Sequence, residues 1–451
     1  MSDKCGKFYI ERLGCAKNQV DAEVLANRLE NLGYTMTDDA SEADLVLVNT
    51  CGFIESAREE SVNAFFDLRN TCPKAKIILS GCLAQRYADQ LEAELPEADA
   101  IFGNRDLRLI DDVVRQLQSK TSNETIRVTP EYPDPDDDDD ARNKLFNFPG
   151  SAFVKISEGC NHRCGFCAIP LIRGALRSRP EKAILAEITR LVKRGIREIN
   201  LVAQDLAAYG WDWDNKSHFE DLLTKIDNLE GDFVVRLLYI HPDWMTDSII
   251  ETVSRCKKVL HYFDIPFQHA SAKLLRPMRR TGDSQSYIAL IERIRKAIPD
   301  AAIRTTIMLG FPGDTEEDFN EVLHFIEACR FTWMGSFIYS LEEDTPAFEL
   351  TSEKEHKALA KEAAKWQKKL QAVQEKITAE QLKKFVGRTL PVLIEEVMED
   401  ADLAIGRIYA QAPEVDGLTV VNGTDMKAGN IYTCKTVRVN GIDLEAVKID
   451  D

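Results

Sequence analysis

The spacing of hydrophobic and polar positions changes period several times along the chain, and each change predicts an element. Residues 8–13 read as a short strand. Val20, Val24, Leu25, Leu29 and Leu32 then recur at helical spacing, and Gly33 can close that helix. Residues 44–49 (DLVLVN) are a buried-strand run, 55–70 a second helix and 76–80 (KIILS) a third strand. Such alternation argues for a parallel sheet with helical crossovers. From about residue 150 it resumes, with strands predicted over 152–156, 198–202, 233–240, 260–265, 303–309 and 334–339. Helices over 181–194, 284–297 and 315–328 separate several of them. Six βα units predict an incomplete (β/α)8 barrel, with its chemistry at the carboxyl ends of the strands. A Lys-rich helix over 352–384 follows. Beyond it come short alternating runs at 390–397, 404–411, 418–421, 431–439 and 443–449. With the hairpin dipeptides Asn422-Gly423 and Asn440-Gly441, they predict a small β-barrel.

The overall expectation is an α/β chain of three domains. Residues 1–130 form a βαβ domain, 150–384 the incomplete barrel with its trailing helix, and 385–451 the small barrel. Between the first two lies an acidic Pro/Asp linker, 131–149. No run approaches the ~18 apolar residues of a membrane span. The stretch 1–14 has no apolar core of a secretory signal, so a soluble cytoplasmic protein is expected. Disulfides are then not expected, and the 11 cysteines need another role. Acids outnumber bases by 75 to 57, a net charge of −18, which gives no global attraction for nucleic acid. Such a field favours a basic partner, or serves only solubility. From residue 386 onward the balance is still acidic, and the only aromatics are Tyr409 and Tyr432. An RNA-binding barrel would show a basic groove with stacking rings. Glu395, Glu396, Glu399, Asp400 and Asp402 are expected to be exposed acids of this segment.

Two cysteine patterns carry the chemistry. Cys15, Cys51 and Cys82 each follow one of the first three strands, about one βαβ unit apart. In a parallel sheet all carboxyl ends lie on one edge, where ligands bind, so the three thiols should meet there. The alternative is three buried structural cysteines; Cys5 and Cys72 do not share the placement. The second pattern is Glu158-Gly-Cys160-Asn-His-Arg-Cys164-Gly-Phe-Cys167, directly after the first strand of the incomplete barrel. Three thiolates on a cubane leave one iron without a protein ligand, and an open position is what catalysis needs. His162 is expected to face outward rather than ligate. Zinc would call for paired CxxC knuckles. Polar or Gly-rich groups end the other strands: Gln204-Asp205, Gln268, Met278-Arg279-Arg280, Arg304 and Gly310-Phe311-Pro312-Gly313. Glycine there lets backbone approach a ligand closely.

At the second pattern the chain resembles the radical S-adenosylmethionine (SAM) superfamily, whose CxxxCxxC signature has an aromatic before the third cysteine, here Phe166. The resemblance implies that Cys160, Cys164 and Cys167 bind three irons of a [4Fe–4S] cluster and that SAM chelates the fourth. SAM would then be cleaved to methionine and a 5′-deoxyadenosyl radical. Phe166, Gln204, Asp205, Gln268, Arg304, Gly310 and Gly313 are the implied cofactor-facing residues. The stretches 13–23 (LGCAKNQVDAE), 49–52 (NTCG) and 80–82 (SGC) resemble the N-terminal domain of methylthiotransferases, which also end in a small TRAM barrel. The likeness covers nearly the whole chain. It implies that Cys15, Cys51 and Cys82 hold a second [4Fe–4S] cluster whose open iron carries the sulfur to be inserted. The wording from Cys15 to Asp21 is similar to the RimO branch, which modifies an aspartate β-carbon of small-subunit ribosomal protein 12; the tRNA branch has Gln-Met-Asn there. That branch implies two SAM molecules per product, an electron donor and a sulfur source as partners, and no side-chain acid or base at hydrogen abstraction. A tRNA adenosine methylthiotransferase and a non-enzymatic two-cluster electron carrier are the alternatives.

Overall fold

The computed structural model describes residues 6–121, 124–132, 142–398 and 401–449. Residues 133–141 of the predicted acidic linker, with Cys5, Glu399, Asp400, Asp450 and Asp451, lie outside the described residues. The chain divides into two compact units. One comprises the residues up to Phe146 with Glu158–Asn161 and Cys167–Pro180; the other comprises Asn147–Ser157, His162–Phe166 and Glu181 onward. No helix among the described residues is long and apolar enough to cross a membrane.

In the first unit six parallel strands run Thr35–Met36, Lys7–Arg12, Leu45–Thr50, Lys76–Gly81, Ala100–Gly103, Ile126–Val128 across the sheet. Leu45–Thr50 is buried throughout, which explains its unbroken apolar run. Its residues alternate between two cores. Leu45 and Leu47 pack with Val24, Leu25 and Leu29 of the helix Ala16–Asn31. Val46 and Val48 pack with Phe65 and Leu68 of the helix Glu55–Thr71. Helices therefore cover both faces, and the strand order reverses between Lys7–Arg12 and Leu45–Thr50. Open sheets bind ligands at the carboxyl ends beside such a reversal. Cys15 and Cys51 flank it, and Cys82 follows the next strand.

In the second unit Ser151–Lys155, Glu198–Val202, Val234–Leu238, Val259–Asp264, Ala302–Leu309 and Trp333–Ile338 pair in chain order, all parallel. The six strands do not close on themselves. Capping boxes start three of the helices: Asp283 with Ser286, Thr315 with Asp318, and Ser352 with Glu355, the last opening the long helix Glu353–Lys383. Five further strands close a barrel in the order Thr389–Val397, Leu403–Arg407, Thr419–Asn422, Asp443–Lys448, Ile431–Asn440.

The predicted strand 404–411 ends early, at Arg407. The residues after it leave the small barrel and pack against the larger sheet. Arg407 bonds Glu198 and Glu395, the Arg236 Nη1 donates to the Tyr409 carbonyl at 2.6 Å, and the Trp333 indole donates to the Ala410 carbonyl at 2.6 Å. Tyr262 donates to Asp416 at 2.6 Å, and Arg304 pairs with the same carboxylate at 3.3 Å. Glu395, expected to be exposed, is 8% exposed and held by Arg407. It belongs to this buried ionic network, whereas Glu396 and Asp402 do lie at the surface.

Candidate metal centres

Cys15, Cys51 and Cys82 are free thiols at the carboxyl ends of three neighbouring strands; Cys51 feels the charge of Cys15, and Cys82 that of both. Two features of the local sequence hold them. Gly14, at φ 97°, lets the chain turn so closely that a Cβ there would lie 3.2 Å from the Cys51 Cβ. Asn18, one turn into the helix that Cys15 begins, donates to the Leu13 and Thr50 carbonyls at 3.1 and 2.9 Å. Its side-chain oxygen lies 3.3 Å from the Cys82 sulfur, and the Asn104 amide donates to that sulfur at 3.3 Å. The Ser61 hydroxyl accepts from the Cys51 N–H at 3.0 Å.

The electrostatics differ among the three. Burial pushes the Cys82 thiol up to about 12 despite Arg173 beside it. Burial also raises Cys51. The Cys15 side chain reaches solvent yet is densely surrounded; desolvation acts upward on it, but Lys17, Arg173 and backbone N–H groups outweigh that and bring it below the usual thiol value. Among the described residues no three His, Cys, Asp or Glu side chains converge on a single-ion site. A cubane is ligated one thiolate per iron, so its cysteines stand farther apart than the ligands of one ion. Three thiols around one sheet edge, with amide and guanidinium donors to sulfur, fit a cluster of that kind.

The second cysteine set occupies one loop. Cys160 donates its N–H to the Gly174 carbonyl at 3.0 Å. Cys164 is buried; its sulfur lies 3.9 Å from the His241 Nε2, and burial raises its thiol against the pull of Arg280. His162 does not face outward. Its Nε2 lies 2.6 Å from the Asp205 carboxylate, its ring stacks on His241 at 4.3 Å, and Trp244 meets it edge-on. Burial and the charge of Arg280 hold the His241 imidazole at about 2, so it is neutral.

The expected cofactor-facing residues spread over several strand ends. Phe166 is buried with the Arg280 guanidinium over its ring. The Gln204 amide is buried with neither polar atom bonded, which suits a ligand at that strand end. Asp205 accepts from the Ala207 and His241 N–H groups at 3.1 and 3.0 Å. Gln268 has φ 71° and pairs through its backbone with Thr306 and Met308. Arg304 is engaged by Asp264 and Asp416. Gly310 has φ 75°, and a Cβ there would meet Ala363 at 2.8 Å; the Gly313 carbonyl accepts from Lys273. Sequence reasoning did not find Arg173, Asn104 or His241. Each acts across a long separation, and no local pattern marks it.

Comparison with known proteins ties these features together. Residues 7–103 match the family described as uncharacterized protein family UPF0004, 154–326 the radical SAM superfamily and 386–449 the TRAM domain. The chain is 44% identical to the ribosomal protein uS12 methylthiotransferase RimO of Treponema denticola, over 97% of this chain and 99% of that one. The RimO proteins of Anaeromyxobacter sp. and Carboxydothermus hydrogenoformans are 39% and 38% identical, covering 97% and 99% of this chain and 92% and 100% of theirs. Among solved structures, the radical S-adenosylmethionine methyltransferase TsrM of Kitasatospora setae, bound to tryptophan and a SAM analogue, shares the fold. Its TM-score is 0.53 at 14% identity, over 73% of this chain and 72% of that one. With near-complete coverage by such relatives, the chain belongs to the RimO family of ribosomal protein uS12 methylthiotransferases.

Proposed function

We propose that this chain transfers a methylthio group to the β-carbon of an aspartate in ribosomal protein uS12. The observation that carries the reading is the set of three thiols at neighbouring strand ends, in a chain that also bears the CxxxCxxC loop and a closed acidic barrel. When bound, two [4Fe–4S] clusters and SAM supply the radical and the transferable sulfur group. The chain's own residues bind and orient them. Cys15, Cys51 and Cys82 hold one cluster, and Cys160, Cys164 and Cys167 the other. Three thiolates each leave one iron open. Gln204, whose buried amide has neither polar atom bonded, offers polar groups to SAM, and Phe166 supplies an apolar wall. The Asp205 carboxylate is instead taken up by His162, Ala207 and His241 and positions that loop, and Gly310 makes room for Ala363 rather than for a ligand. An electron donor and a sulfur source are the remaining partners.

The test is anaerobic reconstitution with isolated uS12, ribosomes and tRNA as parallel substrates. Mass spectrometry should find the methylthio group on uS12. Cys160→Ala should abolish 5′-deoxyadenosine release, while Cys51→Ala should keep some abortive SAM cleavage and lose the product. Robust product on tRNA would move the assignment to an adenosine methylthiotransferase. Cluster spectra indifferent to SAM would make the chain an electron carrier.

A further inference from the structure

Arg173 closes a five-residue helix, Ile169–Arg173, that begins just after the third cysteine of the loop. Its side chain is only 3% exposed. One nitrogen, Nη1, donates to both Glu158 carboxylate oxygens at 3.1 and 2.9 Å. The other, Nη2, reaches Asn18 Oδ1 at 2.7 Å, Asp21 Oδ2 at 2.8 Å and the Cys82 sulfur at 3.6 Å. Ala168 and Ile172 of the same segment pack on Cys82. Arg105 fixes the segment by donating to the Leu171 and Ile172 carbonyls at 2.9 and 3.1 Å. Glu158 lies two residues before Cys160, whose N–H is held by the carbonyl of Gly174, the residue after Arg173.

Only a planar guanidinium can serve these acceptors together. A lysine ammonium is a point charge and cannot span the two carboxylates and the sulfur with a fixed fork. We propose that Arg173 is a positioning residue common to both cysteine sets. It holds the Cys82 sulfur directly, and through Glu158 and the Gly174 turn it holds the backbone at Cys160. Its charge also offsets that of the thiolate at Cys82. The proposal rests on the reading of both sets as cluster ligands.

The experiment isolates each set. The C160A/C164A/C167A chain keeps only the N-terminal cysteines, and the C15A/C51A/C82A chain keeps only the loop. Each should load about four irons; failure of either parent to load would overturn the cluster reading itself, and this proposal with it. Arg173→Met, Arg173→Lys and Glu158→Gln are then placed in both chains, and iron retention against a chelator and the midpoint potential by EPR titration are measured. Arg173→Met should speed iron loss about tenfold in both chains and move the N-terminal cluster to a more negative potential. Arg173→Lys should restore that potential but not the retention. Glu158→Gln, which leaves the contact with Cys82 in place, should weaken retention only in the loop-only chain, and it decides the matter if Arg173→Met does not fold. Unchanged retention and potential in all variants would overturn the proposal. Loss confined to the N-terminal set would overturn the shared role.

Discussion

Gly81 stands directly before Cys82 with φ 99° and ψ −154°, a conformation essentially confined to glycine. A Cβ there would meet the Thr50 carbonyl oxygen at 2.6 Å. Gly81→Ala must therefore rotate the backbone and push neighbouring strands apart, at a cost of about 1–3 kcal/mol, and it carries Cys82 out of line. A lower Tm by calorimetry is expected, with reconstituted iron falling from about eight to about four per chain. Full loading in that variant would remove Cys82 from the ligand set. The cysteines themselves were legible because their placement after strands and their offsets are local facts of the sequence. Their companions were not, since Arg173 meets the Cys82 sulfur across 91 positions. The outward expectation for His162 failed for the same reason. The local loop could not show that Asp205, 43 residues on, would turn the ring inward.

Among the elements, the strand Glu198–Val202 begins on a buried carboxylate shared by Arg236 and Arg407. Burial acts to raise the Glu198 carboxyl, but the two guanidiniums outweigh it and hold the group at about 2, against 4.5 ordinarily. Between those values the unfolded chain takes up the proton first. The stabilisation is therefore complete above about pH 4.5 and is lost as pH falls toward about 2. Glu198→Gln takes the carboxylate partner from the buried Arg236 and leaves Arg407 with Glu395 alone, and should cost about 3–5 kcal/mol at neutral pH. The stability gap between wild type and variant, measured by calorimetry across pH 2–7, should narrow on the acid side; a gap independent of pH would show that the charge of Glu198 does not carry the effect. The longer strands were readable because their apolar runs are bounded by turn residues. Ala100–Gly103 and Ile126–Val128 were not, being four and three residues long with no alternation to mark them. The early end of Leu403–Arg407 is a tertiary effect, drawn out by partners in the larger sheet.

For the whole molecule, the net charge of −18 sets the long-range field that an approaching substrate meets. Charge reversal of the exposed acids Glu396, Asp402 and Asp425 to Lys should raise KM for isolated uS12 several-fold at low salt. The effect should vanish near 1 M salt, where the Debye length is about 3 Å, and SAM cleavage without substrate should be unaffected. An unchanged KM would leave the acidic barrel with a solubility role only. The buried network between the two barrels also sets a timetable. Glu198 and Arg407 are 209 residues apart. At roughly 5–20 residues per second, a ribosome delivers the second about 10–40 s after the first. Through that interval the nascent strands hold Glu198 and Arg236 without Arg407 and the Tyr409 carbonyl, and Trp333 emerges ahead of the Ala410 carbonyl it needs. The larger, open sheet thus lacks these buried partners until the small barrel has been made.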